Sequence, residues 1–189
     1  MMCPWCSSES IPEGKYVDYE TIVNRLFRLY KECDVVRISG GEPTMHPDIG
    51  SIVDYCKLLY KEIILLTNGS TYFYHSAITK YHISYNKYSE RYVSFLIEQG
   101  VSRSNIMITA VLCPDSDVSG AMILSKEYKI PCHLYKLQQQ GRARDMVNEI
   151  EVTCENGCTR NNKITITYDG KEIKCSADKE GEKCHGRKC

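Results

Sequence analysis

Apolar and polar residues follow two different periodicities along the first 137 residues of the chain. Segments in which apolar residues recur every three or four positions predict amphipathic helices, and short β-branched runs bounded by glycine or polar residues predict buried strands. The predicted helices are 17–34, 48–62, 87–100 and 115–128, with a weak helix after Asn68 and Gly69. The predicted strands are 35–39, 63–67, 81–85, 105–112 and 131–137.

Strands and helices in strict alternation predict an α/β fold, in which a parallel sheet is connected by crossover helices. Two helix boundaries have local signals: Asp48 is suited to an N-cap, and Gly100 to a helix end. The pattern changes after Gly141, and the segment 163–177 predicts a β-hairpin that turns at Asp169 and Gly170. We therefore expect a core domain of residues 1–145 and a small C-terminal extension of residues 146–189.

The composition narrows the possible classes of function. The chain has 189 residues, with 24 Lys and Arg against 24 Asp and Glu. This balance argues against bulk electrostatic capture of nucleic acid or of an anionic membrane. No apolar run reaches the roughly 18 residues that a membrane span needs, and no basic-then-apolar leader is visible. We expect a cytoplasmic protein that binds neither membranes nor nucleic acid.

The eleven cysteines are unevenly distributed along the chain. In a chain without a leader, such a number favours metal ligation, redox chemistry or burial over disulfides. Four isolated cysteines in apolar surroundings are expected to be small buried hydrophobes, namely Cys33, Cys56, Cys113 and Cys132. The others are clustered at the two ends of the chain, as Cys3 and Cys6 and as Cys154, Cys158, Cys175, Cys184 and Cys189.

Two short motifs have the residue types of a cofactor site. In Cys3-Pro-Trp-Cys6, a tight turn brings two thiolates to one side, which suits a redox pair, a zinc knuckle or half of an iron–sulfur site. In the segment 39–43, two glycines permit close approach of a ligand, and Glu42 follows a strand at the end where α/β folds bind ligands. The alternative is an ordinary strand-to-helix turn with a solvated Glu42.

Together the two motifs resemble those of the radical S-adenosylmethionine (SAM) enzymes. Cys3, Trp5 and Cys6 match the second half of the three-cysteine motif that holds a 4Fe-4S cluster in that family. The family's contact to the methionyl amino group of SAM is matched by Gly40, Gly41, Glu42 and Pro43. Residues at the ends of the next two strands match further cofactor contacts, namely Asn68, Ser84 and Asn86.

The resemblance covers residues 3–145 and implies a partial (β/α)6 TIM-like barrel that lacks its first strand. It also implies that the family's first cluster cysteine would fall upstream of Met1. The implied chemistry is reductive cleavage of SAM to a 5′-deoxyadenosyl radical that abstracts hydrogen, with an electron donor such as flavodoxin or ferredoxin. The substrate would be a peptide or protein. With only two front cysteines, a non-catalytic metal-binding scaffold is the alternative.

The cysteine-rich tail is similar to the C-terminal extensions that hold auxiliary iron–sulfur clusters in some members of this family. We expect the ligands among Cys154, Cys158, Cys175 and one of Cys184 or Cys189. A structural zinc site is also open, because four thiolates beside a hairpin suit zinc equally well. Unligated thiols in a loose tail are the third possibility.

Overall fold

The structure is a computed structural model that describes residues 6, 11, 14–113, 116–137 and 142, and the backbone of 165–166 and 172–173. The chain divides into two compact units. One unit is Leu26–Leu137, and the other consists of Met1–Arg25 and Gln138–Cys189. The predicted division into residues 1–145 and 146–189 stays a prediction.

Helices and strands alternate from Tyr19 to Lys136 as the sequence pattern predicts, except that no helix lies between the second and third strands. The helices are α1 (Tyr19–Leu29), α2 (Ile49–Leu59), α3 (Ser89–Glu98) and α4 (Val118–Tyr128). The strands are β1 (Val35–Ile38), β2 (Glu62–Thr67), β3 (Lys80–Ser84), β4 (Ile106–Leu112) and β5 (Cys132–Lys136). Short 3-10 turns occur at Pro43–Met45 and Arg103–Asn105.

The five strands form one parallel sheet in the order β1-β2-β3-β4-β5. Because crossovers between neighbouring parallel strands are right-handed, the connecting helices lie on the same face of the sheet. Strand residues on that face form the core with the apolar sides of the helices, and Leu65, Tyr81, Ile83, Ile106 and Ile108 are fully buried there. The predicted α/β fold is confirmed, and the open sheet with its helices is consistent with a partial barrel.

Gly100 ends α3 as predicted, with a positive φ of 84°. Its N–H donates to the carbonyl of Ile97, and the N–H of Val101 donates to that of Leu96. This is the double hydrogen bond of a glycine-terminated helix. In the second unit, β6 (Thr165–Ile166) pairs antiparallel with β7 (Glu172–Ile173), which agrees with the predicted hairpin, whereas its turn lies outside the described residues.

The predicted weak helix after Gly69 is wrong, since residues 70–79 contain no helix. Buried tyrosines satisfy the backbone of this loop instead. The hydroxyl of Tyr92 donates to the carbonyl of Phe73 at 2.7 Å, and the N–H of His75 donates to the hydroxyl of Tyr81 at 3.2 Å. These two hydrogen bonds to tyrosines outside the loop take the place of some of the backbone hydrogen bonds that a helix would form.

Asp48 occupies the N-cap of α2, but its side chain makes no capping hydrogen bond. The N–H of Asp48 instead donates to Nδ1 of His46. Among the four isolated cysteines, Cys56 is fully buried as expected, and burial raises its pKa to about 12. The other three are only half-buried. No helix in the described part of the chain is long and apolar enough to cross a membrane.

Candidate functional site

The carboxyl ends of β1, β2 and β3 lie side by side, because these strands are parallel and adjacent. The residues that follow them are joined by side-chain hydrogen bonds across the strand ends. We call this arrangement the strand-end network and define it by Glu42, Thr44, Thr67, Asn68, Ser84, Asn86 and Ser89. In open α/β sheets, ligands bind outside this end of the strands.

Glu42 joins the first strand connection to the second. Its Oε1 accepts hydrogen bonds from the hydroxyls of Thr44 and Thr67, both at 2.6 Å, and from the N–H of Thr44 at 3.2 Å. Its Oε2 accepts from the N–H of Asn68 at 2.7 Å. Each carboxylate oxygen offers about two acceptor positions. Among the described residues, Oε2 accepts only the hydrogen bond from Asn68, so it can accept one more. The alternative of a purely solvated Glu42 is wrong.

The hydroxyl of Thr67 extends this network toward Gly69. While Thr67 donates to Glu42, its oxygen accepts a hydrogen bond from the N–H of Gly69 at 3.0 Å. Thr67 is only 2% exposed, and Thr44 is 7% exposed. Buried hydroxyls are costly unless they are hydrogen-bonded, so these two side chains hold the carboxylate of Glu42 in one position.

Asn86 joins the second strand end to the third. Its amide nitrogen donates to the carbonyl of Asn68 at 2.7 Å and to that of Ser84 at 2.6 Å. Its amide oxygen accepts from the N–H of Tyr88 at 2.8 Å, and its own N–H donates to the fully buried hydroxyl of Ser89. The side chain of Asn86 is therefore used mainly to fix the shape of the loops.

We expect Asn86→Ala to lower the free energy of unfolding by about 2 kcal/mol, because it removes three side-chain hydrogen bonds, two of them at half-buried positions. The matched control is Asn68→Ala, which removes only an exposed bond to the N–H of Ser70 and should cost about 0.5 kcal/mol. Urea unfolding followed by circular dichroism measures both. Equal losses would contradict the bridging role of Asn86.

Beside the network, the two glycines leave open space. Gly40 and Gly41 are exposed, and a Cβ placed on Gly40 would have no described heavy atom within 4 Å. Pro43 is buried and starts the 3-10 turn that Glu42 caps. The segment therefore combines a fixed carboxylate with an accessible backbone, which suits an ammonium group bound by carbonyl and carboxylate oxygens.

The third and fourth strand connections add a phenol and a carboxylate at the same edge of the sheet. The hydroxyl of Tyr85 donates to Oδ2 of Asp117 at 3.4 Å, and burial raises the pKa of Tyr85. Asp117 also caps α4 by accepting from the N–H of Gly120 at 2.8 Å. A Cβ on Gly120 would collide with both side chains, which explains the glycine inside this helix.

The structure brings together the predicted residues Glu42, Asn68, Ser84 and Asn86, with Pro43 supporting the first of them. Cys6 is half-buried in the other unit, where its carbonyl accepts a hydrogen bond from the N–H of Arg142 at 3.1 Å. The remaining predicted ligands lie outside the described residues, namely Cys3, Trp5, Cys154, Cys158, Cys175, Cys184 and Cys189.

Sequence reasoning missed Thr44, Thr67 and Ser89. One local signal was present for Thr44, since it lies two residues after Glu42, at the spacing of a capped turn. For Thr67, the signal was a single hydroxyl at the end of an apolar strand. Ser89 resembles any helix-starting serine in the sequence, and only the fold shows that it is fully buried.

The radical SAM superfamily model matches residues 1–112, which is more than half of the chain. The chain therefore belongs to the radical SAM superfamily. No match to this sequence was found among curated proteins.

Solved structures of SuiB from Streptococcus suis share the fold. The chain is 16% identical to SuiB bound to S-adenosylmethionine, with a TM-score of 0.61, covering 79% of this chain and 41% of that one. It is also 16% identical to SuiB bound to the precursor peptide SuiA, with a TM-score of 0.58, covering 79% and 39%. This chain thus spans about two fifths of the length of SuiB.

Proposed function

We propose that this chain binds a 4Fe-4S cluster and SAM, and that it uses the 5′-deoxyadenosyl radical to abstract hydrogen from a peptide or protein. The observation that carries this proposal is the strand-end network. It fixes the carboxylate of Glu42 beside an exposed pair of glycines at the ligand-binding end of a parallel sheet. Membership of the superfamily supports the cofactor and the reaction class.

The described residues fit SAM at its amino-acid end. The remaining acceptor position on Oε2 of Glu42 and the backbone of Gly40 and Gly41 would hold the methionyl ammonium group. Pro43 fixes the turn that presents them. On the side of β2 and β3, the cofactor would lie against Asn68, Ser84 and Asn86. It would contact mainly their backbone groups, because the side chain of Asn86 is already hydrogen-bonded to the loop carbonyls.

Cys3 and Cys6 would ligate the cluster, with Trp5 beside it. When bound and reduced, the cluster supplies the electron that cleaves the carbon–sulfur bond of SAM, and the protein provides position and electrostatics. A flavodoxin or ferredoxin in the cytoplasm would donate that electron. In the tail, Cys154, Cys158, Cys175 and Cys184 or Cys189 would hold an auxiliary iron–sulfur cluster or zinc.

The peptide substrate is supported by fold similarity to SuiB, which has been solved with a precursor peptide. A peptide also suits an open sheet, because an extended chain can reach the reacting position from solvent. In this proposal, the chain's own residues position the substrate and the cofactor on the same end of the sheet.

Anaerobic reconstitution with iron and sulfide tests the proposal. We expect metal analysis to find iron and sulfide, and electron paramagnetic resonance of the reduced protein to show a 4Fe-4S signal that changes when SAM is added. Zinc without any SAM-responsive signal would overturn the proposal and support the non-catalytic metal-binding scaffold.

A pair of cysteine variants makes the test specific to the Cys3-Pro-Trp-Cys6 motif. We expect Cys6→Ser to lose the SAM-responsive signal, because a serine oxygen is a poor ligand for iron in this type of cluster. The control Cys132→Ser changes a half-buried cysteine in β5 to which no ligand role is assigned, and it should keep the signal. If both variants lost the signal, the loss in Cys6→Ser would no longer identify Cys6 as a ligand of the cluster.

A further inference from the structure

The five-stranded sheet has a second face, opposite to the face that packs against the helices. In a parallel sheet, side chains of aligned residues point to the same face, as do residues two apart in one strand. Arg37 is aligned with Ile64, and Ile64 with Lys80. His82 follows two residues after Lys80, so Arg37, Lys80 and His82 share this second face.

The same face continues to the far edge of the sheet. Ser84 follows two residues after His82 and is aligned with Thr109, which is aligned with His133. The ring of His133 is held by an edge-on contact with that of Tyr135, at 4.4 Å between centroids. A row of polar side chains therefore crosses the sheet at the level of the strand-end network.

We call the charged and titratable members of this face the basic cluster, defined by Arg37, Glu62, Lys80, His82 and His133. Glu62 is the only carboxylate within the five strands, and its Oε1 lies 2.6 Å from Nζ of Lys80. No carboxylate among the described residues pairs with Arg37, which is exposed, as is His133. The cluster thus carries one uncompensated guanidinium and two imidazoles.

The members of the basic cluster influence one another. Burial lowers the pKa of His82, the charges of Arg37, Lys80 and His133 lower it further, and Glu62 acts in the opposite direction. Four strands therefore contribute charges to the electrostatic environment of His82. An anion bound there would reduce the repulsion that His82 experiences and would raise its pKa.

We propose that the basic cluster binds a carboxylate side chain of the peptide substrate, so that the substrate is an acidic peptide segment. This inference rests on the proposed function and names its substrate class. Arg37 is the anchor, because a guanidinium pairs with a carboxylate through two parallel hydrogen bonds. His82 and His133 provide further donors on the same face.

The sheet geometry also places the reacting position relative to the acidic residue. His82 is two residues before Ser84, and Lys80 is four residues before it, which corresponds to roughly 7 and 13 Å along the strand. The proposed SAM site lies at the level of Ser84. The carbon that loses hydrogen is therefore expected about two to four residues away from the acidic side chain, since an extended peptide advances roughly 3.3 Å per residue.

Two small peptides provide the probe. N-acetyl-diglutamyl amide and the matched N-acetyl-diglutaminyl amide are titrated into the reconstituted protein with saturating SAM, and binding is followed by calorimetry. We expect only the acidic peptide to bind, with a Kd that rises roughly tenfold in Arg37→Gln through loss of the charged hydrogen bonds. Lys57→Gln removes an exposed charge from α2 and should leave the Kd unchanged.

Saturating SAM separates the substrate's carboxylate from that of the cofactor. If SAM itself occupies the basic cluster, the acidic peptide will not bind in its presence, and the inference fails. Equal binding of both peptides, or an equal loss in Arg37→Gln and Lys57→Gln, also overturns it. If SAM does not bind at all, the proposed function fails first, so the two failures are distinguishable.

Discussion

Replacement of Glu42 by alanine is expected to lower the free energy of unfolding by roughly 3 kcal/mol and to remove measurable SAM binding. The carboxylate accepts hydrogen bonds from Thr44, Thr67 and Asn68, and two of these residues are almost fully buried. Alanine would leave their donors without a partner in a place that water reaches poorly. Such orphaned groups cost more than the average hydrogen bond is worth.

Glu42→Gln and Asp48→Ala make this prediction specific. The amide of glutamine keeps one oxygen for the threonines but turns an NH2 group toward the N–H of Asn68, so we expect roughly half the loss of stability. Asp48 is a neighbouring carboxylate whose side chain makes no capping bond, and its loss should cost less than about 0.5 kcal/mol. Urea unfolding and calorimetry with SAM measure both effects. If Glu42→Ala were as stable as Asp48→Ala, the network would not depend on the carboxylate.

Glu42→Gln also distinguishes a purely structural role of Glu42 from direct contact with SAM. If Glu42 only braces the loops, Glu42→Gln should lose SAM affinity in proportion to its loss of stability. If Oε2 also binds the methionyl ammonium group, affinity should fall further than stability, because a neutral amide replaces a charged acceptor. Comparing the loss of SAM affinity with the loss of stability in Glu42→Gln therefore tests whether the remaining acceptor position on Oε2 binds SAM.

The sequence predicts the helices and strands well because the apolar periodicity of each is carried by its own residues. Leu65 and Ile83, for example, are fully buried in strands that the pattern predicts. The location of the site is predictable for a similar reason. Glu42, Asn68 and Ser84 each follow or end an apolar strand, and parallel strands bring these ends together.

The hydrogen bonds within the site were not predictable from local sequence. Glu42 and Thr67 are 25 positions apart, and only the alignment of β1 with β2 brings them together. The basic cluster depends on register in the same way, because a shift of one residue in β3 would move His82 to the helix-covered face. The local sequence after Gly69 predicts a weak helix, because it does not show that the loop backbone forms hydrogen bonds with Tyr81 and Tyr92, which lie outside the loop.

Gly69 connects the packing of the core to the strand-end network. Its N–H donates to Thr67, whose hydroxyl holds Glu42, and its φ is +68°. A Cβ on this residue would lie 3.0 Å from Cβ of Tyr92, a fully buried side chain of α3. The close approach of the loop to Tyr92 therefore requires a glycine for two separate reasons.

We expect Gly69→Ala to lower the free energy of unfolding by roughly 3 kcal/mol. A left-handed backbone costs an L-residue about 1 kcal/mol, and the overlap with Tyr92 adds about 2 kcal/mol, since a buried tyrosine has little room to move. The shift of the loop would also pull the N–H of residue 69 away from Thr67 and weaken the support of Glu42. SAM affinity should therefore fall in this variant even though the substitution lies outside the proposed contacts.

Gly100→Ala separates the cost of the left-handed backbone from the cost of the overlap with Tyr92. Gly100 has a similar φ of +84°, but a Cβ there would have no described heavy atom within 4 Å. It should lose only the backbone contribution of about 1 kcal/mol and should leave SAM affinity unchanged. Urea unfolding measures the loss in free energy of unfolding for both variants, and the difference between the two losses is the cost of the overlap with Tyr92. Equal losses would mean that the loop can move away from Tyr92 at little cost, and the strand-end network would then be supported by Glu42 and Asn86 without the help of this contact.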